Sequence, residues 1–302
     1  MAQKSCKLVW QNTSNHKGKK AKRTMELAKS NLIKNIISRA SEIRDQVLVV
    51  KIASVIIEND ELLDNFVDNI RLLNMCGTKI VIVHDYTKLV EETLGLLGCD
   101  EKFIDNHQVP NYKKDQIIEM VLSGHINKHI VTRLCANGCF AVGISGKDGN
   151  LMQAKKSKLF YKRSEQDVID INFISEPIIV NAEILLNFED SNIIPVISPI
   201  ANDKNGRTHL LDINLTASVV ASCLGADHLI LPQDECIFGN QDLVVQDVQV
   251  LRNMLQIDDT KPSSLVRSAL YALENSTNCV YLIDASIYDS VLSNIFLNQK
   301  VS

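Results

Sequence analysis

Lys79-Ile80-Val81-Ile82-Val83-His84-Asp85-Tyr86-Thr87 is the stretch on which the reading of this chain turns. Ile80 to Val83 form an apolar run with no polar alternation, the pattern of a strand buried on both faces of a parallel sheet. A polar turn follows, in which Asp85 and Tyr86 before Thr87 can start a helix, here one near 87–97. A strand that turns tightly into a helix is a place where glycines let bare backbone N–H groups approach a phosphate. Here the strand is present, and Asp85, Tyr86 and Thr87 stand where such glycines would be.

The same rhythm extends outward. Val47-Leu48-Val49-Val50-Lys51-Ile52 reads as a buried strand, followed by a helix over Glu61–Met75. Further helices are expected near 113–137, 214–224, 262–274 and 286–297. Strands are expected at 139–144, 178–180, 194–197, 229–231 and 279–283. Strands alternating with helices predict an α/β fold, an αβα sandwich with a mainly parallel central sheet. Before the first strand, Leu27, Ile33, Ile37 and Ala40 recur at helical spacing beside Leu32, Ile36 and Ile43, which predicts a helix over 24–45. Its apolar stripe is broad enough to require a packing partner, and a second subunit is the expected one.

A chain of 302 residues can bury a large core without disulfides or metals. The overall charge of −4 argues against nucleic acid as a partner. No apolar run reaches the roughly 18–20 residues that span a membrane. Eight cysteines lack any CxxC spacing and seven histidines lack paired-ligand spacing, so scattered thiols in a cytoplasmic protein are expected and no metal site. Residues 1–23 hold seven Lys/Arg and no acid, which leaves −11 on the rest. Such an arm reads as a flexible solvated tail, with a targeting peptide or a tether to an anionic surface as alternatives.

Four further segments carry a resemblance. They are Asp115-Gln116-Ile117-Ile118-Glu119-Met120-Val121-Leu122-Ser123-Gly124-His125-Ile126-Asn127-Lys128, Ala141-Val142-Gly143-Ile144-Ser145-Gly146-Lys147-Asp148-Gly149, Ile194-Pro195-Val196-Ile197-Ser198-Pro199-Ile200 and Leu224-Gly225-Ala226. Together, in this order, they resemble the acetylglutamate kinases of the amino-acid kinase family from about Val47 to Phe296. The resemblance implies an acetylglutamate lobe over 46–227 and a nucleotide lobe over 228–302. It implies transfer of the γ-phosphoryl of MgATP to the side-chain carboxylate of acetylglutamate. It also likens the 24–45 helix to the element that interlocks dimers into hexamers.

The family's site residues transfer only in part. Lys51, His84 and Asp234 match. Glycines of the two phosphate-facing turns become Ala53 and Ser54, and Asp85, Tyr86 and Thr87. The arginine that holds the substrate carboxylate becomes Gln108, which offers no charge and no bidentate fork. The substrate asparagine becomes Leu210, and the aspartate that organises the lysines becomes Asn214, with Asp212 nearby. A phosphate-binding lysine becomes Leu265, with Lys261 and Arg267 as local cations. The resemblance thus puts Lys51 and Asn214 at catalytic positions. Asp85, Tyr86, Gln108, Leu210 and Asp212 fall at substrate positions. Ala53, Ser54, Asp234, Lys261 and Leu265 fall at nucleotide positions.

Substitutions gather at the site while the scaffold motifs persist, which favours a homologue with lost phosphotransfer, acting as a binding or regulatory subunit or scaffold. The alternatives are an active acetylglutamate kinase with a rebuilt site, or a kinase acting on another substrate. MgATP is required if the protein is active, and no cofactor otherwise. The expected partners are an acetylglutamate-like small molecule and further copies of the chain, as a dimer or a hexamer.

Overall fold

The computed structural model describes residues 27, 29–99, 103–104, 107–108, 112–156, 161–162, 168–169, 174–233, 242–257 and 264–297. The chain divides into two units, Met1–Arg44 and Asp45–Ser302. In the first, helix α1 covers 29–42. Leu32, Ile33, Ile36 and Ile37 lie on it exposed to solvent, as does the helical Leu27 ahead of it. The predicted tail at 1–23 lies outside the described residues.

The second unit runs β1 (Val47–Ile52), α2 (Ser54–Glu58), α3 (Asp60–Met75), β2 (Lys79–His84) and α4 (Lys88–Leu96). The short pair β3 (Phe103–Ile104) and β4 (His107–Gln108) precedes α5 (Tyr112–Glu119), a π-helical stretch Met120–Ile126 and α6 (Asn127–Ala136). Then come β5 (Ala141–Ser145), β6 (Met152–Lys156), β7 (Tyr161–Lys162), β8 (Val168–Ile169), β9 (Ile174–Val180), α7 (Glu183–Asp190) and β10 (Ile194–Ser198). The rest is β11 (Ile200–Asn202), β12 (Thr208–Leu211), α8 (Ile213–Leu224), β13 (His228–Gln233), β14 (Leu243–Val245), α9 (Val248–Ile257), α10 (Ser264–Glu274), β15 (Cys279–Asp284) and α11 (Ser290–Leu297).

Seven strands form the central sheet in the order β14-β15-β13-β1-β2-β10-β5. All neighbours are parallel except β14, which runs against β15. Successive residues of one strand serve opposite faces. Val49, Val81, Leu229 and Leu231 join a core completed by Leu185 of α7, Ala217 and Val220 of α8, Leu251 of α9 and Leu265 and Ala269 of α10. The other layer is α3, α6 and α11. Each fully buried Val or Leu side chain of this core contributes about 1.5–3 kcal/mol. Strands β6, β9, β11 and β12 close into a small separate ring.

Caps explain where the helices begin. The Asn59 side chain accepts from the N–H groups of Glu61 and Leu62 at 3.0 and 3.2 Å, starting α3. Leu63, Phe66, Val67, Ile70 and Leu73 then line its buried face at helical spacing. Thr87 caps α4, which lies where the sequence predicts a helix near 87–97. Asp212 caps α8, and Gly225 ends it at φ 59°, the left-handed conformation that glycine adopts without strain.

The helix expected over 113–137 is not uniform. At Met120–Ile126 it widens to π geometry, and the Asn127 N–H reaches back to the Leu122 carbonyl. Gly124 lies in this stretch, where α preference is weakest. Elements absent from the sequence expectation are α2, α7, α9, β3, β4, β6, β7, β8, β11, β12 and β14.

Candidate active site

Parallel pairing lines up the strand ends. Lys51 of β1 stands opposite Val83 of β2, and Ile52 opposite His84. The Asp85 N–H donates to the Ile52 carbonyl at 2.9 Å, extending the ladder one residue past the strand. The turn at 85–87 and the end of β1 therefore emerge together, at the carboxyl edge of the sheet. From β1 the chain builds outward through β2 on one side and β13 on the other. Ligands of open α/β sheets bind at this kind of switch point.

Lys51 is 5% exposed. Its Nζ donates to Asn214 Oδ1 at 3.1 Å and lies 3.5 Å from Asp85 Oδ2. Asp85 Oδ1 in turn accepts the Tyr86 N–H at 2.8 Å. The structure thus brings together Lys51, Asp85, Tyr86 and Asn214. Ala53 is fully buried and extended just before α2, and half-buried Ser54 opens that helix.

Asp212 has structural duties. Its Oδ1 accepts the Leu215 N–H at 2.8 Å, and its Oδ2 accepts the Ser264 hydroxyl at 2.8 Å. It therefore starts α8, two residues before Asn214, and ties it to the first residue of α10. Leu210 is 6% exposed, within β12 between Ile200 and Ile174. Leu265 is buried in the apolar core against the sheet. Gln108 is placed only by its backbone, in β4 opposite Phe103. Asp234 and Lys261 lie outside the described residues.

His84 is fully buried between two partners. Its Nδ1 lies 2.9 Å from the Asp85 carbonyl and its Nε2 lies 2.9 Å from Ser198 Oγ. A neutral ring satisfies both when Nδ1–H donates to the carbonyl and Nε2 accepts from the hydroxyl. Burial lowers its pKa to about 4, so the ring is neutral at physiological pH. His84 is a fixed hinge post behind the turn.

Sequence reasoning overlooked Ser198 and Ser264, which hold His84 and Asp212. It also overlooked a cross-link between two of its own motifs. Lys147 Nζ donates to both oxygens of Glu119, at 2.8 and 2.7 Å, and to Thr208 Oγ1 at 3.1 Å. The paired occurrence of Glu119 and Lys147 in the two motifs was the available signal. The turn at 145–149 is tied by Asp148, whose Oδ2 accepts from the Ser145 N–H and hydroxyl.

Residues 46–253 match the sequence profile of the amino acid kinase family. Acetylglutamate kinase of Archaeoglobus fulgidus is 31% identical over 264 residues, spanning 84% of this chain and 91% of its own. That of Campylobacter hominis is 32% identical over 266 residues, spanning 85% and 90%. N-acetylglutamate synthase from Neisseria gonorrhoeae superposes with a TM-score of 0.69 at 18% identity, over 88% of this chain and 61% of that one. Giardia carbamate kinase superposes with a TM-score of 0.57 at 13% identity, over 83% and 96%. At these structural identities the likeness carries the fold alone. Profile and relatives together show that this chain belongs to the amino acid kinase family.

Proposed function

We propose that this protein is an acetylglutamate kinase homologue that keeps the family scaffold and a small-molecule pocket but has lost phosphotransfer, and acts as a binding or regulatory subunit. The observation that carries this reading is the Lys51–Asp85 contact at 3.5 Å. Phosphoryl transfer asks the protein for positioning and for positive charge against the spreading charge of the transferring group. At the end of β1 that charge is already matched by a carboxylate. A phosphoryl oxygen arriving there meets Asp85 as a like charge. At ~4 Å and an effective dielectric of ~20, each unit pair costs ~4 kcal/mol. That corresponds to roughly a thousandfold in rate.

Family membership implies ATP and a metal ion. Among the described residues the donor set argues against a triphosphate: apolar Ala53, neutral Asn214 and core-packed Leu265 stand where the resemblance puts phosphate-facing or lysine-organising residues. Gln108 offers no charge and Leu210 no hydrogen bond where the resemblance puts an arginine and an asparagine, which weakens recognition of acetylglutamate and supports a natural ligand that resembles it without being identical to it.

One observation favours a second reading, an active kinase with a rebuilt site. Lys51 still reaches position 214 at 3.1 Å. Titration calorimetry with MgATP and with acetylglutamate, beside a coupled ADP-release assay, separates the two. The proposal expects no ADP release, and turnover at a rate normal for the family would sink it.

The 46–227 and 228–302 segments are assigned as acetylglutamate-like and nucleotide-like lobes. The exposed stripe Leu27, Leu32, Ile33, Ile36 and Ile37 supports self-association through residues 24–45, as a dimer or a hexamer. Among the described residues six cysteines are free thiols, in keeping with a cytoplasmic location.

A further inference from the structure

We infer that Asp85 is a built-in anion: its carboxylate occupies an oxyanion site formed by the Lys51 ammonium and the Tyr86 N–H, and this occupancy decides which ligands the pocket excludes. One oxygen takes the turn N–H at 2.8 Å and the other faces the ammonium at 3.5 Å. A backbone N–H at a strand-to-helix turn, together with a buried lysine, is a donor pair suited to a phosphate or carboxylate oxygen. Here both donors are satisfied from within the chain. Exposure of the two side chains is 6% for Lys51 and 14% for Asp85, so water screens the pair little. Asn214 adds a neutral acceptor to the same ammonium and brings no charge of its own. The Lys51 ammonium thus already faces a carboxylate, and an incoming anion has to displace this tethered group. Tethering gives that carboxylate an effective concentration in the millimolar range or above, which a weakly binding free anion does not match.

This role of Asp85 rests on reading this edge of the sheet as the site proposed above, but the two fail separately. Turnover by the unmodified protein would end the proposed loss of phosphotransfer. A phosphate titration is silent on turnover and decides Asp85 alone.

The test uses the full chain, with inorganic phosphate as probe and chloride at matched ionic strength as control. Affinity is read by calorimetry and by the shift in melting temperature. In Asp85→Asn the amide oxygen still accepts from Tyr86, while the charge facing Lys51 is gone. Phosphate is expected to bind this variant at least tenfold more tightly than the unmodified protein and to raise its melting temperature. In Lys51→Met/Asp85→Asn that gain is expected to disappear. Asp85→Gly, which also empties the turn, gives the same reading if the asparagine variant does not fold. Phosphate affinities within twofold of the unmodified protein would overturn the inference. So would a gain that survives the loss of Lys51.

Discussion

Removing the Asp212 carboxylate, as in Asp212→Ala, strips α8 of its cap and of its tie to α10. Two bonds are lost, to the Leu215 N–H and to the Ser264 hydroxyl, both at 2.8 Å. Loss of an aspartate cap costs about 1 kcal/mol. A hydrogen bond to a charged acceptor is worth about 1.5–3 kcal/mol, and the lower end applies because Asp212 is only half-buried. The expected destabilisation is therefore about 2–3 kcal/mol. Ser264→Ala alone should cost about 1.5 kcal/mol. Because the two residues share one bond, the double variant should fall short of the sum by about 1 kcal/mol. Urea unfolding followed by circular dichroism measures all three, with stability read from the shift in midpoint at constant slope. Additive losses, or an Asp212→Ala variant within about 0.5 kcal/mol of the unmodified protein, would refute the reasoning and return Asp212 to a purely ligand-facing role.

His84 has a folded pKa of about 4 against an ordinary 6.5, so the unfolded chain binds the extra proton between those values. Its contribution is complete above about pH 6.5 and is lost as pH falls toward 4, amounting to about 2 kcal/mol between pH 7 and pH 5. His84→Gln should remove that share of the pH dependence in paired urea titrations, and an unchanged pH dependence would contradict the buried neutral ring. In Gly143→Ala, the new Cβ would overlap Asn127 Oδ1, forcing that buried side chain off the Val196 carbonyl it holds at 2.8 Å. About 3 kcal/mol should be lost in thermal or urea unfolding, and a neutral result would show that Asn127 moves freely. Deleting residues 1–45 should lower the mass seen by light scattering, while an unchanged mass would remove the self-association role of α1.

The central strands were readable because their sequences leave no choice. Val47–Ile52 and Lys79–His84 are apolar almost throughout, and such runs fit only between two helix layers. Helix α8 was readable from its run of small and aliphatic residues ending at Gly225. The closed ring was not. Thr208–Leu211 and Met152–Lys156 carry mixed polar patterns, and only distant pairing makes them strands. Helix α2, five residues without a side-chain cap, leaves no sequence signature.

At the site, the change of residue type at 53, 54, 85, 86, 108, 210, 214 and 265 was visible in the sequence, but its consequence was not. Asp85 and Lys51 are 34 positions apart in the chain, and only the parallel register of β1 on β2 brings them face to face. Asp212 looked like a spare carboxylate for the pocket, although an acidic residue directly before an apolar helical run is equally the mark of a cap. The resemblance sets Leu265 against a lysine, whereas its place among the apolar positions of α10 points to the core.

The most direct test of lost phosphotransfer is ADP release from MgATP by the purified full chain, with and without acetylglutamate, beside Lys51→Ala. The account predicts the same background in every case. Acetylglutamate-dependent ADP release by the unmodified protein that disappears in Lys51→Ala would contradict it.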